Sequence, residues 1–235
     1  MKAFIPLAGN ALVACLLMLS SQESPGQQPD GPWGGVDGTV SATGTIEGVV
    51  RTPDRPARRV AQRYPTHVPE GPREEQAVPA VVHLEGPVQA DASEDPAREI
   101  VQRDSTFVPP LVVVPVGGTV AFPNDDPFFH NVFSYSRPAR FDLGRYHQGE
   151  SKGVTFQEPG YVKVFCEIHD QMRAAVLVVE NPFHAQVDED GHFTLTGVPP
   201  GTHTLKVTDF DHGTRAMDVD VPSGGTVQVE VELEG

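Results

Sequence analysis

The chain has 235 residues, a length that suits one large or two small domains. Its formal net charge is -15, and a field of that sign repels nucleic acid and anionic lipid and attracts basic partners. Its 23 glycines and 23 prolines are scattered between short runs of β-branched residues. Because no long amphipathic helical pattern is visible, this composition favours an all-β protein with many turns.

Residues 1–21 have the pattern of an export signal: a lysine, a mostly apolar run and then small polar residues. The apolar run is short for a membrane span, which needs about 20 apolar residues, and Gly9 and Asn10 interrupt it. We therefore expect an exported protein, periplasmic or on the surface of a bacterial cell. The Leu-Val-Ala-Cys of residues 12–15 also resembles a bacterial lipobox, which would make the protein a lipoprotein through Cys15. A leader or lipid anchor would be its only membrane contact.

The chain contains two cysteines, Cys15 and Cys166. Since Cys15 lies in the leader, a processed chain would carry one thiol and could form no internal disulfide. A lone cysteine in an exported protein is a reactive liability unless it has a task, and metal ligation is one such task.

The remainder of the chain divides into a linker and two β-rich regions. Residues 22–42 are rich in Gly, Pro, Gln and Ser and are predicted to be a linker. Between residues 100 and 179, short apolar runs alternate with turn residues, which is typical of a sandwich or Greek-key barrel. Further on, an Asp-Gly turn at 190–191 and a Pro-Pro-Gly turn at 199–201 separate runs of alternating apolar residues. These runs predict a second, smaller β-sandwich.

Four potential metal donors stand out in the first β-rich region. Cys166, His169 and Met172 form a C-x2-H-x2-M pattern where a strand ends and a loop begins, and His130 lies upstream. Two imidazoles and a thiolate in a plane, with a weak axial thioether, suit both Cu(I) and Cu(II). A structural zinc site usually has four His and Cys ligands, so copper is preferred and zinc stays an alternative. The pattern predicts one copper ion that exchanges electrons with little rearrangement of its ligands.

These donors lie in a stretch, residues 100–179, that resembles the cupredoxins, the family of plastocyanin, azurin and amicyanin. The segment FVPPLVVVPVGGTVAFPNDD is similar to their two strands before the first ligand, and HNVF is similar to their His-Asn step. The C-x2-H-x2-M spacing is similar to the short ligand loop of amicyanin. The resemblance implies a Greek-key sandwich whose type 1 copper ligands are His130, Cys166, His169 and Met172. It also implies that Asn131 connects the two ligand segments by hydrogen bonds near the cysteine sulfur.

Residues 184–233 resemble the transthyretin-like, carboxypeptidase-regulatory-like sandwich in the segment DEDGHFTLTGVPPGTHTLKV and the strands after it. That family opens with strands like those at 44–50 and 80–84, which here precede the copper-binding region. Our hypothesis is a discontinuous sandwich of residues 43–86 and 184–233, with a cupredoxin domain at 87–183 inserted into it. The predicted fold is thus all-β, a Greek-key cupredoxin sandwich plus a smaller Ig- or transthyretin-like sandwich.

Other motifs are not expected to carry chemistry. His147 is predicted to lie in a loop that carries no ligand in cupredoxin-like proteins. His67 and Glu70 spell the H-x-x-E of zinc peptidases, but the prolines around them prevent the helical turn that would hold the pair. The sequence also lacks the His-x-His pairs of multicopper oxidases, a C-x-x-C-H haem motif, and nucleotide-binding and hydrolase motifs.

We expect no enzyme, because a closed site with four protein ligands leaves no open position for a substrate. The predicted function is to carry single electrons outside the cytoplasm, with a redox protein docking near the ligand loop. A copper carrier or sensor is an alternative, although such proteins tend to use exposed Met- and His-rich motifs and this chain has four methionines. A third alternative, small-molecule chemistry at copper, requires that Met172 point away from the metal.

Overall fold

The computed structural model describes residues 42–53, 59–60, 73–88 and 98–234. The predicted export signal at 1–21 with Cys15, the linker at 22–42 apart from its last residue, and the pair His67 and Glu70 lie outside the described residues. The described ranges form strands and turns and no helix, which confirms the all-β prediction. Within them, accordingly, no helix is long and apolar enough to cross a membrane.

The described residues form nineteen strands. In chain order they are β1 (Gly44–Arg51), β2 (Arg59–Val60), β3 (Arg73–Glu74), β4 (Val81–Leu84), β5 (Arg98–Glu99), β6 (Val101–Arg103), β7 (Thr106–Val108), β8 (Leu111–Pro115), β9 (Thr119–Pro123), β10 (His130–Ser136), β11 (Ala139–Tyr146), β12 (Ser151–Thr155), β13 (Gly160–Phe165), β14 (Arg173–Val179), β15 (His184–Gln186), β16 (His192–Val198), β17 (Gly201–Asp209), β18 (Gly213–Val221) and β19 (Thr226–Glu232).

The first sandwich packs a five-stranded sheet, in the order β11-β10-β13-β14-β8, against a three-stranded sheet, β12-β9-β5. Its strands pair antiparallel except at two places, where β14 runs parallel to β8 and β5 runs parallel to β9. Inward-facing side chains from both sheets form one buried cluster, which contains Phe122, Val164 and Val176. The two predicted donors Cys166 and Met172 belong to the same cluster. Strands β6 and β7 form a separate hairpin.

The second sandwich packs the sheet β16-β1-β19 against the sheet β15-β4-β17-β18. Strand β1 pairs antiparallel with β16 and parallel with β19, and β4 pairs antiparallel with β15 and β17. Its core includes Ile46, Leu84, Phe193 and Leu205. Strands that precede the first sandwich in the chain therefore pair with strands that follow it.

A third apolar cluster joins the two sandwiches. All residues of β14 are buried, because its alternate side chains face two different cores. Val176 points into the first core, whereas Leu177 packs with Val113 of β8, Val81 of β4 and Phe210 after β17. A continuous apolar run such as Ala-Ala-Val-Leu-Val-Val is typical of a strand that is covered on both faces.

Arg173, the first residue of β14, adds ion pairs to this junction. Its guanidinium lies 3.0 Å from a carboxylate oxygen of Glu75 and 3.0 Å from each carboxylate oxygen of Asp211. It also lies over the ring of Phe210, 4.5 Å from the centroid. The planar fork of the guanidinium matches a carboxylate in this bidentate manner. Arg173 thus connects the segments of Glu75 and Asp211 to β14, the strand that follows the predicted ligand loop.

We expect Arg173→Met to lower the free energy of unfolding by about 3 kcal/mol, because removing the cation leaves two partly buried carboxylates without it. Denaturant unfolding at neutral pH measures this change. Arg215→Met, which removes an exposed ion pair with Glu234, is the matched control and should cost under about 1 kcal/mol. Equal losses in the two variants would contradict a role for Arg173 at the junction.

His83 lies on β4, opposite His184 of β15 and Lys206 of β17. Burial lowers the pKa of His83 to about 4, and the nearby ammonium of Lys206 acts in the same direction, opposed by Glu85. Burial also lowers the pKa of His184. The Nδ1 atoms of both histidines have no hydrogen-bond partner. The folded protein therefore favours the neutral form of this pair.

Because the folded state binds the His83 proton less tightly than the unfolded chain does, we expect stability to fall as the pH drops from about 6.5 to about 4. The contribution of His83 to this fall is on the order of 2 kcal/mol. Thermal unfolding across that pH range should give a flatter profile for His83→Leu than for the wild type. His192→Leu, at an exposed position, should keep the wild-type profile. A His83→Leu profile as steep as that of the wild type would contradict the prediction.

Candidate metal centre

The pairing of β10 with β13 positions the donors. His130 is the first residue of β10, and Cys166 directly follows β13. These strands are antiparallel neighbours, paired at Phe133 and Phe165, so the beginning of β10 lies beside the end of β13. The chain then crosses to β14 through residues 166–172, which contain the other two predicted donors.

Three of the four predicted ligands offer donor atoms within a few ångströms of one another. The Nδ1 atoms of His130 and His169 are 3.1 Å apart, and the Sγ of Cys166 lies 3.6 Å and 3.9 Å from them. The side chains are buried, with 0% of His130, 3% of Cys166 and 4% of His169 exposed. Metal–nitrogen bonds of about 2.0–2.1 Å and metal–sulfur bonds of about 2.3 Å set ligand atoms at such spacings around one ion. In the described part of the chain, this is the group of His, Cys and acidic residues that could hold a metal.

Met172, the fourth predicted ligand, is fully buried in the same cluster as Cys166. Its backbone N–H donates to the carbonyl of His169 at 3.0 Å, which closes the turn at the end of the loop. The loop therefore supplies a thiol, an imidazole and a thioether from one tight segment, and its last donor adjoins the rigid strand β14.

Burial makes the donor groups favour their neutral forms. It raises the pKa of the Cys166 thiol, although backbone hydrogen bonds involving Asn131, His169 and Ile168 oppose the shift. Burial likewise lowers the pKa of His130, against the effect of Asp126. A metal ion reverses this preference for the thiol, because coordination removes its proton. The donor set thus fits a soft or borderline cation whose charge offsets that of a buried thiolate.

The carboxylate of Asp126 contacts the other side of the His130 ring. Its Oδ2 lies 2.7 Å from Nε2 of His130, and only 5% of the residue is exposed. The backbone N–H groups of Asp104 and Ser105 donate to its two oxygens at 2.7 Å and 3.0 Å. Burial opposes ionisation of this carboxyl group, but the hydrogen bonds from Ser105, His130 and Asp104 hold its pKa below the ordinary value.

The turn that donates to Asp126 has a strained backbone. Asp104 and Ser105 connect β6 to β7 as a two-residue hairpin loop, with φ angles of 53° and 55°. Such type I′ turns favour Asn-Gly, because a side chain with positive φ costs about 1–3 kcal/mol. The two N–H groups that the turn directs at Asp126 offset part of that cost.

Asn131 connects the two ligand segments. Its Oδ1 accepts a hydrogen bond from the backbone N–H of Glu167 at 2.8 Å and lies 3.7 Å from the Sγ of Cys166. This is the hydrogen bonding that the resemblance to cupredoxins implied. It fixes the spacing between the beginning of β10 and the loop after β13.

Phe128 covers the two histidines on the solvent side. Its ring centroid lies 5.1 Å from that of His130 and 5.4 Å from that of His169. The neighbouring Phe129 stacks on His147, which is exposed and lies just after β11, outside the donor group. Phe128 therefore helps to shield the two histidines from water.

Sequence reasoning missed Asp126 and Phe128. The available signal was the run Asn-Asp-Asp-Pro-Phe-Phe directly before His130. Two adjacent aspartates and two adjacent phenylalanines occur there, and a loop has no periodicity that tells which of each pair turns inward. The structure separates them: Asp126 is buried on the histidine, whereas Asp125 pairs with Arg103 at the surface.

The fold and the site together define an all-β protein with two sandwiches and a buried cluster of two histidines and a cysteine. No model of a known protein family matches the chain, and comparison with curated proteins gives no match either.

Solved structures with partial similarity include three copper proteins. The copper-containing nitrite reductase of Thermus scotoductus is 28% identical, over 41% of this chain and 26% of that one, with a TM-score of 0.35. This chain thus spans about a quarter of the length of that reductase. A purple cupredoxin of Nitrosopumilus maritimus is 25% identical, over 34% of this chain and 98% of that one, with a TM-score of 0.32. A methionine-to-alanine mutant of amicyanin in its Cu(I) form is 25% identical, over 42% of this chain and 97% of that one, with a TM-score of 0.34.

We expect Asn131→Ala to destabilise the metal-free protein by about 1–3 kcal/mol, because the N–H of Glu167 loses its acceptor beside a buried site. It should also weaken metal binding, measured by competition with a chelator. Asn181→Ala is the matched control, since Asn181 makes comparable buried hydrogen bonds to Leu84, Gly86 and Phe183 in the second sandwich. The control should lose stability and keep the metal affinity. A loss of affinity in both variants would mean that Asn131 acts only through general stability.

Proposed function

We propose that the chain binds one type 1 copper ion through His130, Cys166, His169 and Met172 and carries single electrons with it. The observation that carries the proposal is the spacing of three buried donor atoms, one sulfur and two imidazole nitrogens, 3.1–3.9 Å from one another. A thiolate and a thioether favour Cu(I), and imidazoles keep Cu(II) bound. When bound, the copper ion supplies one-electron redox chemistry.

The protein fixes the positions of the donor atoms and keeps water away from them. Asp126 holds the ring of His130, Asn131 holds the loop of Cys166, and Phe128 covers His169. Donors that are already constrained by such contacts have little freedom to rearrange when the charge of the site changes. Electrons therefore pass without a large movement of ligands or of water.

The burial of the donors favours a resident ion over cargo. A copper carrier must release its ion, and release is easiest from exposed ligands, whereas at most 4% of each of the three donor residues is accessible. The burial of Met172 in the same cluster favours a closed site, so we propose no enzymatic activity. Zinc in place of copper is the remaining alternative, and uptake from an equimolar mixture of the two metals distinguishes it.

We further propose that a redox protein docks near Phe128 and Phe129, which are 41% and 44% exposed. Asp125, three residues before Phe128, pairs with Arg103, and Glu167, directly after Cys166, pairs with Arg145. An apolar centre with a charged rim is common at protein interfaces. The net charge of -15 favours a basic partner, and the leader pattern favours an encounter in the periplasm or at the cell surface.

The test is an optical spectrum of the oxidised, copper-loaded protein without its leader, recorded beside that of Cys166→Ser. We expect an intense visible band from charge transfer between the Cys166 thiolate and Cu(II), which bleaches on reduction and is absent in the variant. His147→Asn is the matched control, because this histidine is near the site and outside the donor group. Its band should equal that of the wild type.

Two results would contradict the proposal in different ways. A protein that binds copper but has no such band is not a type 1 centre, and rapid transfer of that copper to a chelator would favour the carrier function. A protein that takes up zinc in preference to copper from an equimolar mixture would favour a structural metal site.

A further inference from the structure

We infer that Asp126 is a positioning residue of the metal centre: its carboxylate orients the His130 ring and adds a negative charge that favours the more oxidised form of the bound ion. The inference rests on the proposed function, because it concerns the same site. Sequence reasoning did not predict this residue, and its role follows from its contacts.

The contact between Asp126 and His130 sets the orientation of the imidazole ring. The Nε2 atom of His130 lies 2.7 Å from the Asp126 carboxylate, whereas Nδ1 faces the Sγ of Cys166 and the Nδ1 of His169. A carboxylate only accepts hydrogen bonds, so the ring proton belongs on Nε2. The lone pair of a neutral imidazole is then on Nδ1, directed at the other donors. A single contact thereby selects both the ring orientation and the tautomer that a metal ligand needs.

The contacts of Asp126 favour its negatively charged form. The three groups within hydrogen-bonding distance of its oxygens are donors: the N–H of Asp104, the N–H of Ser105 and the imidazole of His130. The two backbone N–H groups can only donate, one to each carboxylate oxygen, and they favour the anion, to which Nε2–H of His130 then donates. These contacts therefore favour the carboxylate anion of Asp126. Its negative charge acts on the metal through the imidazole ring of His130. A backbone carbonyl in the same place would select the same tautomer without adding that charge.

Asp126 is itself held in place by the β6–β7 hairpin. The segment around it is attached to the β6–β7 hairpin by a backbone bridge between Gln102 and Asn124 and by the hydrogen bond from Asp125 N–H to the Gln102 carbonyl at 2.9 Å. Ser105 also accepts a hydrogen bond from the side chain of Gln171, on the other ligand segment. The hairpin is thus a common support for both ligand segments, and Asp126 is the group through which it reaches the donor cluster.

An anion that stabilises Cu(II) more than Cu(I) lowers the reduction potential. We expect Asp126→Asn, which keeps the size and removes the charge, to weaken Cu(II) binding about 10–100-fold and Cu(I) binding less. Each tenfold change in the ratio of the two affinities raises the potential by about 59 mV. Voltammetry gives the potential, and chelator competition gives the two affinities.

The matched control is Asp125→Asn, which makes the same change of charge one residue away. Asp125 pairs with Arg103 at the surface, whereas the carboxylate hydrogen-bonded to His130 is that of Asp126. A mere change of net charge would shift both variants alike. The inference is supported by a rise in potential that is clearly larger in Asp126→Asn, and it is overturned by equal shifts.

A second measurement needs no copper. Nitrogen-15 NMR spectra of the metal-free wild type should show His130 protonated on Nε2 and bare on Nδ1, and Asp126→Ala should show a mixture of both tautomers. A proton on Nδ1 in the wild type would overturn the positioning role. If the wild type has no visible copper band, the proposed function fails, and the tautomer alone then decides whether Asp126 positions the ring.

Discussion

The arrangement of this molecule depends on the burial of β14 on both faces. One set of its side chains completes the core of the first sandwich, and the alternate set packs against the second sandwich. A strand covered in this way can neither slip in register nor separate from its neighbours without exposing apolar surface on two sides. The ligand loop ends at the first residue of β14, where Arg173 is further fixed by two carboxylates. The loop that contains Cys166, His169 and Met172 thus leads directly into a strand that is buried on both faces.

A buried polar cluster is costly unless its groups are satisfied, and this one combines outer contacts to the protein with inner contacts among the donor atoms themselves. Asp126, Asn131 and the backbone N–H groups around them account for the hydrogen bonds that face away from the donors. On the inner side, the thiol and two imidazole nitrogens have mainly one another as neighbours. The strands and the hairpin hold these donor atoms together from outside. The donor atoms are thus close enough together to hold one metal ion.

The sequence allowed the all-β class and the donors to be predicted, because both depend on local patterns. Runs such as Val-Val-Val in β8 predict strands, and C-x2-H-x2-M is a spacing that a single loop can realise. The structure brings His130, Cys166 and His169 together, and their role as metal ligands, like that of Met172, stays a prediction. Asp126 could not be predicted, since its inward turn depends on a hairpin formed by other residues. Nor could the pairing of Arg173 with Glu75 and Asp211, which brings together three separate parts of the chain.

The parallel pairing of β1 with β19 has a mechanical consequence. The register runs from Thr45 beside Thr226 to Arg51 beside Glu232, so the first and last described strands lie directly against each other. A pull that separates the N-terminal end of β1 from the C-terminal end of β19 loads all of these hydrogen bonds in shear at once. The chain of the first sandwich begins after β4 and ends before β15, and these two strands pair with each other. A force applied between β1 and β19 therefore does not pass along the chain of the first sandwich. Tension on the second sandwich would therefore leave the donor cluster undistorted until β1 and β19 part.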